Sequence, residues 1–141
     1  MATLAHALQI IGGWIAPLVI FFIKRQSRFV SFHALQALLL QIIHVITVLI
    51  FVVGCVMVMA FTIFSQASQA ATGSTPARPP FEIFLVFPFL WLFLIATNIT
   101  IIVAAVMYCI KAGRGEWAEY PVVGRWARRI LKIGPGGSNL A

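Results

Sequence analysis

The stretch from Phe29 to Ser65 constrains this chain more than any other. It is uncharged and almost wholly apolar, and it begins directly after the basic cluster Lys24-Arg25-Gln26-Ser27-Arg28. As one helix it would be roughly 55 Å long, against a bilayer hydrocarbon core of about 30 Å. A water-soluble domain would need a large polar remainder to cover it. That remainder is absent: 62% of the residues are apolar and 9% charged, where ordinary globular domains carry about a quarter. The chain is too poor in charge to coat a soluble fold, so its apolar surface must face lipid.

Three apolar runs follow from the hydropathy. The fold class is all-α: an integral membrane helical bundle with three transmembrane helices, about 4–23, 34–64 and 83–110, plus a C-terminal interfacial amphipathic helix over about 121–133. Residues 1–133 form a single membrane domain and 134–141 a flexible tail. The first run has no basic leader, so it reads as a retained span and not as a cleaved signal. His6, Gln9, Gly13, Ala16 and Pro17 share one side of it, a stripe suited to helix contacts in lipid. Pro17 is the expected kink. Ser31, His33 and Gln36 precede the cleanly apolar part of the second run, which puts its first turns in the interface. Ser65 to Pro80 has the composition of a flexible loop. Pro88 is expected to break or bend the start of the third run. Gly113 and Gly115 suit a helix C-cap and a sharp turn.

The net charge of +7 does not indicate nucleic acid, because the basic residues flank apolar segments and form no groove on a polar fold. The 24–28 turn and the tail carry nine basic residues, and the 65–82 loop carries one. By the positive-inside rule the turn and C-terminus are cytoplasmic, and the N-terminus and long loop are outside, in a multi-pass membrane protein. In the last helix, Val122, Val123, Trp126, Ile130 and Ile133 cover one arc and Arg125, Arg128, Arg129 and Lys132 the opposite one. Lys24, Arg25, Arg28, Arg125, Arg128, Arg129, Lys132 and Trp126 are therefore the expected membrane-surface residues, facing anionic headgroups. Cys55 and Cys109 read as small buried side chains.

The sharpest candidate site is a polar stripe on the second helix. His33, Gln36, His44 and Thr47 fall within roughly 80° of one another, with Gln41 at the edge. Such groups are costly at membrane depth unless they face protein or water. They are either a seam for a substrate or proton, or they hydrogen-bond to His6, Gln9, Thr97, Asn98 or Thr100. The second reading is preferred, because no span holds an acidic residue. Metal binding is not expected: His33 and His44 are about 16 Å apart along the helix, and His6 is expected near the outer surface, remote from His33. A haem between His44 and His6 is the remaining possibility considered, and no cofactor is assigned. No enzyme is expected either, since Glu82, Glu116 and Glu119 are the only carboxylates and are split between the two membrane faces.

Two stretches carry a resemblance. Residues 27–40, with Phe29-Val30-Ser31-Phe32-His33-Ala34-Leu35-Gln36-Ala37-Leu38, resemble an "FV-x-FHA-x-QAL" signature. Residues 111–121, with Lys111, Ala112, Gly115, Glu116, Tyr120 and Pro121, resemble "K-A-x-x-G-E-x-x-x-YP". Together they are similar to a bacterial family of small membrane proteins related to the twenty-kilodalton component of the chloroplast inner-envelope import translocon. The resemblance implies a small helical bundle in the bacterial inner (cytoplasmic) membrane and assigns no catalytic role. It marks His33, Gln36, Gly115, Glu116, Tyr120 and Pro121 as important to the shared architecture, and the two signatures are expected to pack together.

The expected function is a non-enzymatic scaffold or accessory subunit, with other membrane subunits or further copies of itself as partners. The alternatives are a component of a protein-translocation channel and a small haem or redox subunit. The topology is directly testable: a cysteine placed at Ser74 should react with an impermeant label from outside, and one at Ser138 should not.

Overall fold

A computed structural model describes residues 1–73 and 81–134, with the backbone alone at Glu82 and Ile83. The described residues form α1 (Ala2–Gly12), α2 (Ile15–Ile23), α3 (Arg28–Ala71), α4 (Phe81–Gly113) and α5 (Val123–Leu131). Two of these, α3 and α4, are long and apolar enough to cross a membrane. Residues 74–80 of the expected 65–80 loop and nearly all of the expected flexible tail lie outside the described residues. The chain divides into two units, Met1–His44 with Ile99–Ala141, and Val45–Asn98.

The expected first span is not one helix. It breaks at Gly13, whose φ of 54° and ψ of −131° suit glycine and end α1. Gly12 allows the close turn, since a Cβ there would lie 3.1 Å from that of Ala16. With 11 and 9 residues, α1 and α2 are about 16 and 14 Å long. Each is half a crossing. Pro17, the expected kink, sits in the first turn of α2, where its missing N–H has no intrahelical bond to lose.

Within the first unit, contacts set the direction of α1. The Cys109 thiol approaches the Thr3 carbonyl at 3.6 Å, His6 meets His33, and Gln9 meets Gln41. Helix α1 therefore runs alongside the first turns of α3 in the same direction. Helix α2 then returns to Lys24, whose carbonyl accepts the Ser31 hydroxyl at 3.1 Å. This is a helical hairpin whose two ends lie together. It places the N-terminus beside the basic 24–28 turn and the end of α4, not at the far end that a single first crossing required.

Helix α3 runs unbroken from Arg28 to Ala71, so the loop does not begin at Ser65. Its last turns are rich in Ala and Gln, good helix formers. The Ser65 and Ser68 hydroxyls donate to Thr62 and Ser65 carbonyls one turn back. Helix α4 continues through Pro88, which removes one backbone donor and in this chain does not end the helix. In the second unit Phe51 stacks on Phe93, centroids 3.8 Å apart. Thr97 and Asn98, expected as partners of the polar stripe, instead donate to the Phe93 and Leu94 carbonyls of their own helix.

Helix α5 has nine residues and starts after Pro121, not at it. It ends on Lys132 in the left-handed conformation. Val123, Ala127 and Ile133 are buried, and Ala127 and Ile133 pack with Phe32 and Leu35 of α3. Arg128 is also turned inward, paired with Glu119 and with its guanidinium over the Phe32 ring at 5.4 Å. The expected division into one lipid arc and one basic arc is thus corrected: part of the apolar arc and one arginine face protein.

If the hairpin enters and leaves by one side, cysteines at Ala2 and Ser27 label from the same side of sealed vesicles. Labelling from opposite sides would restore a single first crossing.

Candidate functional site

The site is a buried polar cluster in the first unit, assembled from α1, the start of α3 and the connection from α4 to α5. His6, Gln9, His33 and Gln36 are all at most 2% exposed. In an apolar setting each must find partners or cost about 1–3 kcal/mol.

The connection is shaped first by the end of α4. Gly115, at φ 78°, is the left-handed residue of a Schellman cap. The Glu116 N–H donates to the Lys111 carbonyl at 3.1 Å and that of Gly115 to Ala112 at 3.2 Å. The cap turns the Glu116 carbonyl toward α3, where His33 Nε2 donates to it at 3.1 Å. The Glu116 side chain is exposed; its backbone is what the site uses.

Gln36 clamps the same connection four residues on. Its Oε1 accepts from the Tyr120 N–H at 2.8 Å and its Nε2 donates to the Ala118 carbonyl at 3.2 Å. One side-chain amide thereby satisfies two backbone groups, one buried and one half-buried. Gly124 permits this approach: a Cβ there would stand 2.6 Å from that of Glu119 and 3.0 Å from Gln36 Oε1.

The ring nitrogens complete a directed chain. The Glu116 carbonyl can only accept, so neutral His33 carries its proton on Nε2 and accepts at Nδ1. The partner at 3.2 Å, His6 Nε2, must then donate. His6 Nδ1 is left to accept from the Tyr120 hydroxyl at 3.3 Å. Burial first, and Tyr108 second, push the Tyr120 phenol above its ordinary pKa, which keeps that proton in place. Tyr120 also stacks on Tyr108, centroids 3.7 Å apart, and the Tyr108 hydroxyl donates to the Glu119 carbonyl at 2.7 Å. Phe29 and Phe32 pack edge-on against His33, and both meet Trp117.

The structure therefore brings together His33, Gln36, Gly115, Glu116 and Tyr120 and leaves Pro121 at the exposed edge of the turn. The two signature stretches do pack against each other. His44, half-buried, and Thr47, exposed, do not enter the chain of bonds. His6 overturns the expectation that it lies remote from His33; the hairpin carries it there. Tyr108, Gly124 and the Glu119–Arg128 pair were not anticipated. Only the three-residue spacing of His6 and Gln9 pointed to a shared inward face.

The hydrogen bonds of the cluster join its members to one another and to the 116–120 connection. Its donors are consumed by internal acceptors, and Gln9 Oε1 is the one buried side-chain atom without a partner among the described residues. Among those residues no group of three or more His, Cys, Asp or Glu side chains is placed to hold a metal ion.

Residues 1–127 match a family model described as the magnetosome magnetite crystal formation protein family. The match lends no support to the likeness to the chloroplast translocon component. Comparisons with curated proteins and with solved structures give no match.

Gln36→Leu should remove both clamp bonds and orphan the Ala118 carbonyl and Tyr120 N–H, at about 2–3 kcal/mol, read as a lower unfolding temperature in detergent. Gly124→Ala should destabilise in the same way, because its Cβ has no room. Unchanged melting in both would refute the clamp.

Proposed function

The chain belongs to the magnetosome magnetite crystal formation protein family, and on that premise we propose that it is a small membrane-embedded accessory protein of magnetite crystal formation, acting by organisation and not by catalysis. The observation that carries this reading is the closed hydrogen-bond lock. Both signature stretches go into fixing the α1–α2 hairpin, the start of α3 and the 116–120 connection as one body.

The carboxylates support an organising role over direct contact with iron. The chain has three. Glu119 is taken by Arg128, and Glu116 stands exposed among Lys111, Arg114 and the other basic residues of this end. Iron ions and iron-oxide surfaces are gripped by clusters of oxygen ligands, which this arrangement does not supply among the described residues. The membrane in question is that of the magnetosome or the bacterial inner membrane, and the accessory role implies other membrane subunits as partners. A part in a protein-translocation channel has no observation of its own in the structure, and neither has a haem or redox role.

The test is genetic, in a magnetite-forming cell that carries this gene. Deletion should alter crystal size or number by electron microscopy. The wild-type chain should restore them, and Gln36→Leu at equal membrane abundance should restore them poorly. Normal crystals in the deletion strain would overturn the proposal. A defect from Glu116→Gln, whose side chain is exposed, would favour direct contact with iron instead.

A further inference from the structure

Helix α5 is docked by one face only. Val123, Gly124 and Ala127 are buried, and Arg128 turns inward to Glu119 and to the Gly134 carbonyl. The other face points outward. Val122, Trp126 and Ile130, spaced four residues apart, are 50%, 48% and 58% exposed. Arg125 and Arg129 flank that stripe, each one position before an apolar member, and both are exposed. No acidic residue follows Glu119 in the sequence, and Glu119 is itself held by Arg128. Lys24, Arg25 and Arg114 are exposed at the same end of the unit.

This face combines an apolar ridge with cations along its edge. Water would suit the arginines and leave Trp126 and Ile130 stranded. An acidic protein surface would match the charge and would need a fitted groove for the ridge. An anionic lipid surface satisfies both at once, with apolar side chains at the acyl boundary and guanidiniums level with the phosphates. We propose that the outer face of α5 binds anionic phospholipid headgroups, Arg125 and Arg129 gripping phosphates while Trp126 and Ile130 insert beneath them. Arg128, which the sequence alone assigned to the membrane surface, takes no part, and neither do Val123 and Ile133 of the expected apolar arc. The inference rests on the chain being in a membrane and is independent of its role in crystal formation.

The test uses the full chain in nanodiscs of phosphatidylcholine and phosphatidylglycerol, with one lipid or the other brominated on its acyl chains. The Trp126 signal is the emission lost in Trp126→Phe. Brominated phosphatidylglycerol should quench it more than an equal mole fraction of brominated phosphatidylcholine, reflecting a local enrichment of roughly fivefold per arginine. The preference should collapse in Arg125→Gln/Arg129→Gln and in about 1 M salt, where the Debye length is about 3 Å. Equal quenching by the two lipids in the wild-type chain overturns the proposal, and so does no quenching by either. Because both arginines are exposed, the double variant should keep its near-ultraviolet circular dichroism. If it does not, the wild-type comparison across salt decides alone.

Discussion

The first unit depends on one requirement: backbone groups taken out of water must be paired. The connection from α4 to α5 is irregular and lies against apolar helices, so its carbonyls and N–H groups have no ladder to join. Gln36 and His33 supply the missing partners. Both come from the first three turns of α3, one helical turn apart, so a single rigid face serves the whole connection. The burial of Phe32 and Leu35 against α5 follows from that registration.

Much of this was legible in the sequence, and for a physical reason. Long uncharged runs have one solution in a bilayer, so α3 and the bulk of α4 follow from hydropathy alone. The meeting of the two signatures was also foreseeable, since His33 and Gln36 needed partners and the Gly115–Tyr120 turn had backbone groups to offer. What was not legible depended on choices that hydropathy does not record. A run of Leu4 to Ile23 is equally apolar whether it crosses once or folds at Gly13. Ser and Gln in the 65–71 segment read as loop by composition, yet the Ser65 and Ser68 hydroxyls close onto the preceding helical turn. Arg128 has the same charge as Arg125 and Arg129, and only the position of Glu119 and Phe32 turns it inward.

The hairpin of α1 and α2 shows why a glycine pair matters more here than a proline. A helix end at membrane depth exposes carbonyls that lipid cannot satisfy, so such breaks survive only beside polar partners. Gln9 and Gln41 lie at this level, joined by a hydrogen bond of 3.3 Å. Pro17, the third residue of the next helix, has no intrahelical bond to lose there. The hairpin in turn delivers His6 to His33, which a straight first span would have held apart.

The cap at Gly115 has a further consequence. A row of rings and hydroxyls that can each give or take a proton has two equivalent orders, and rows of that kind fluctuate between them. A carbonyl at one end abolishes the second order. The Glu116 oxygen is such a terminus, placed by a turn whose conformation glycine makes accessible. The arrow it imposes passes through two imidazoles to Tyr120, across three separate segments of chain. A backbone carbonyl outside the helices thus selects the tautomer of His6 on the first helix through the intervening ring of His33.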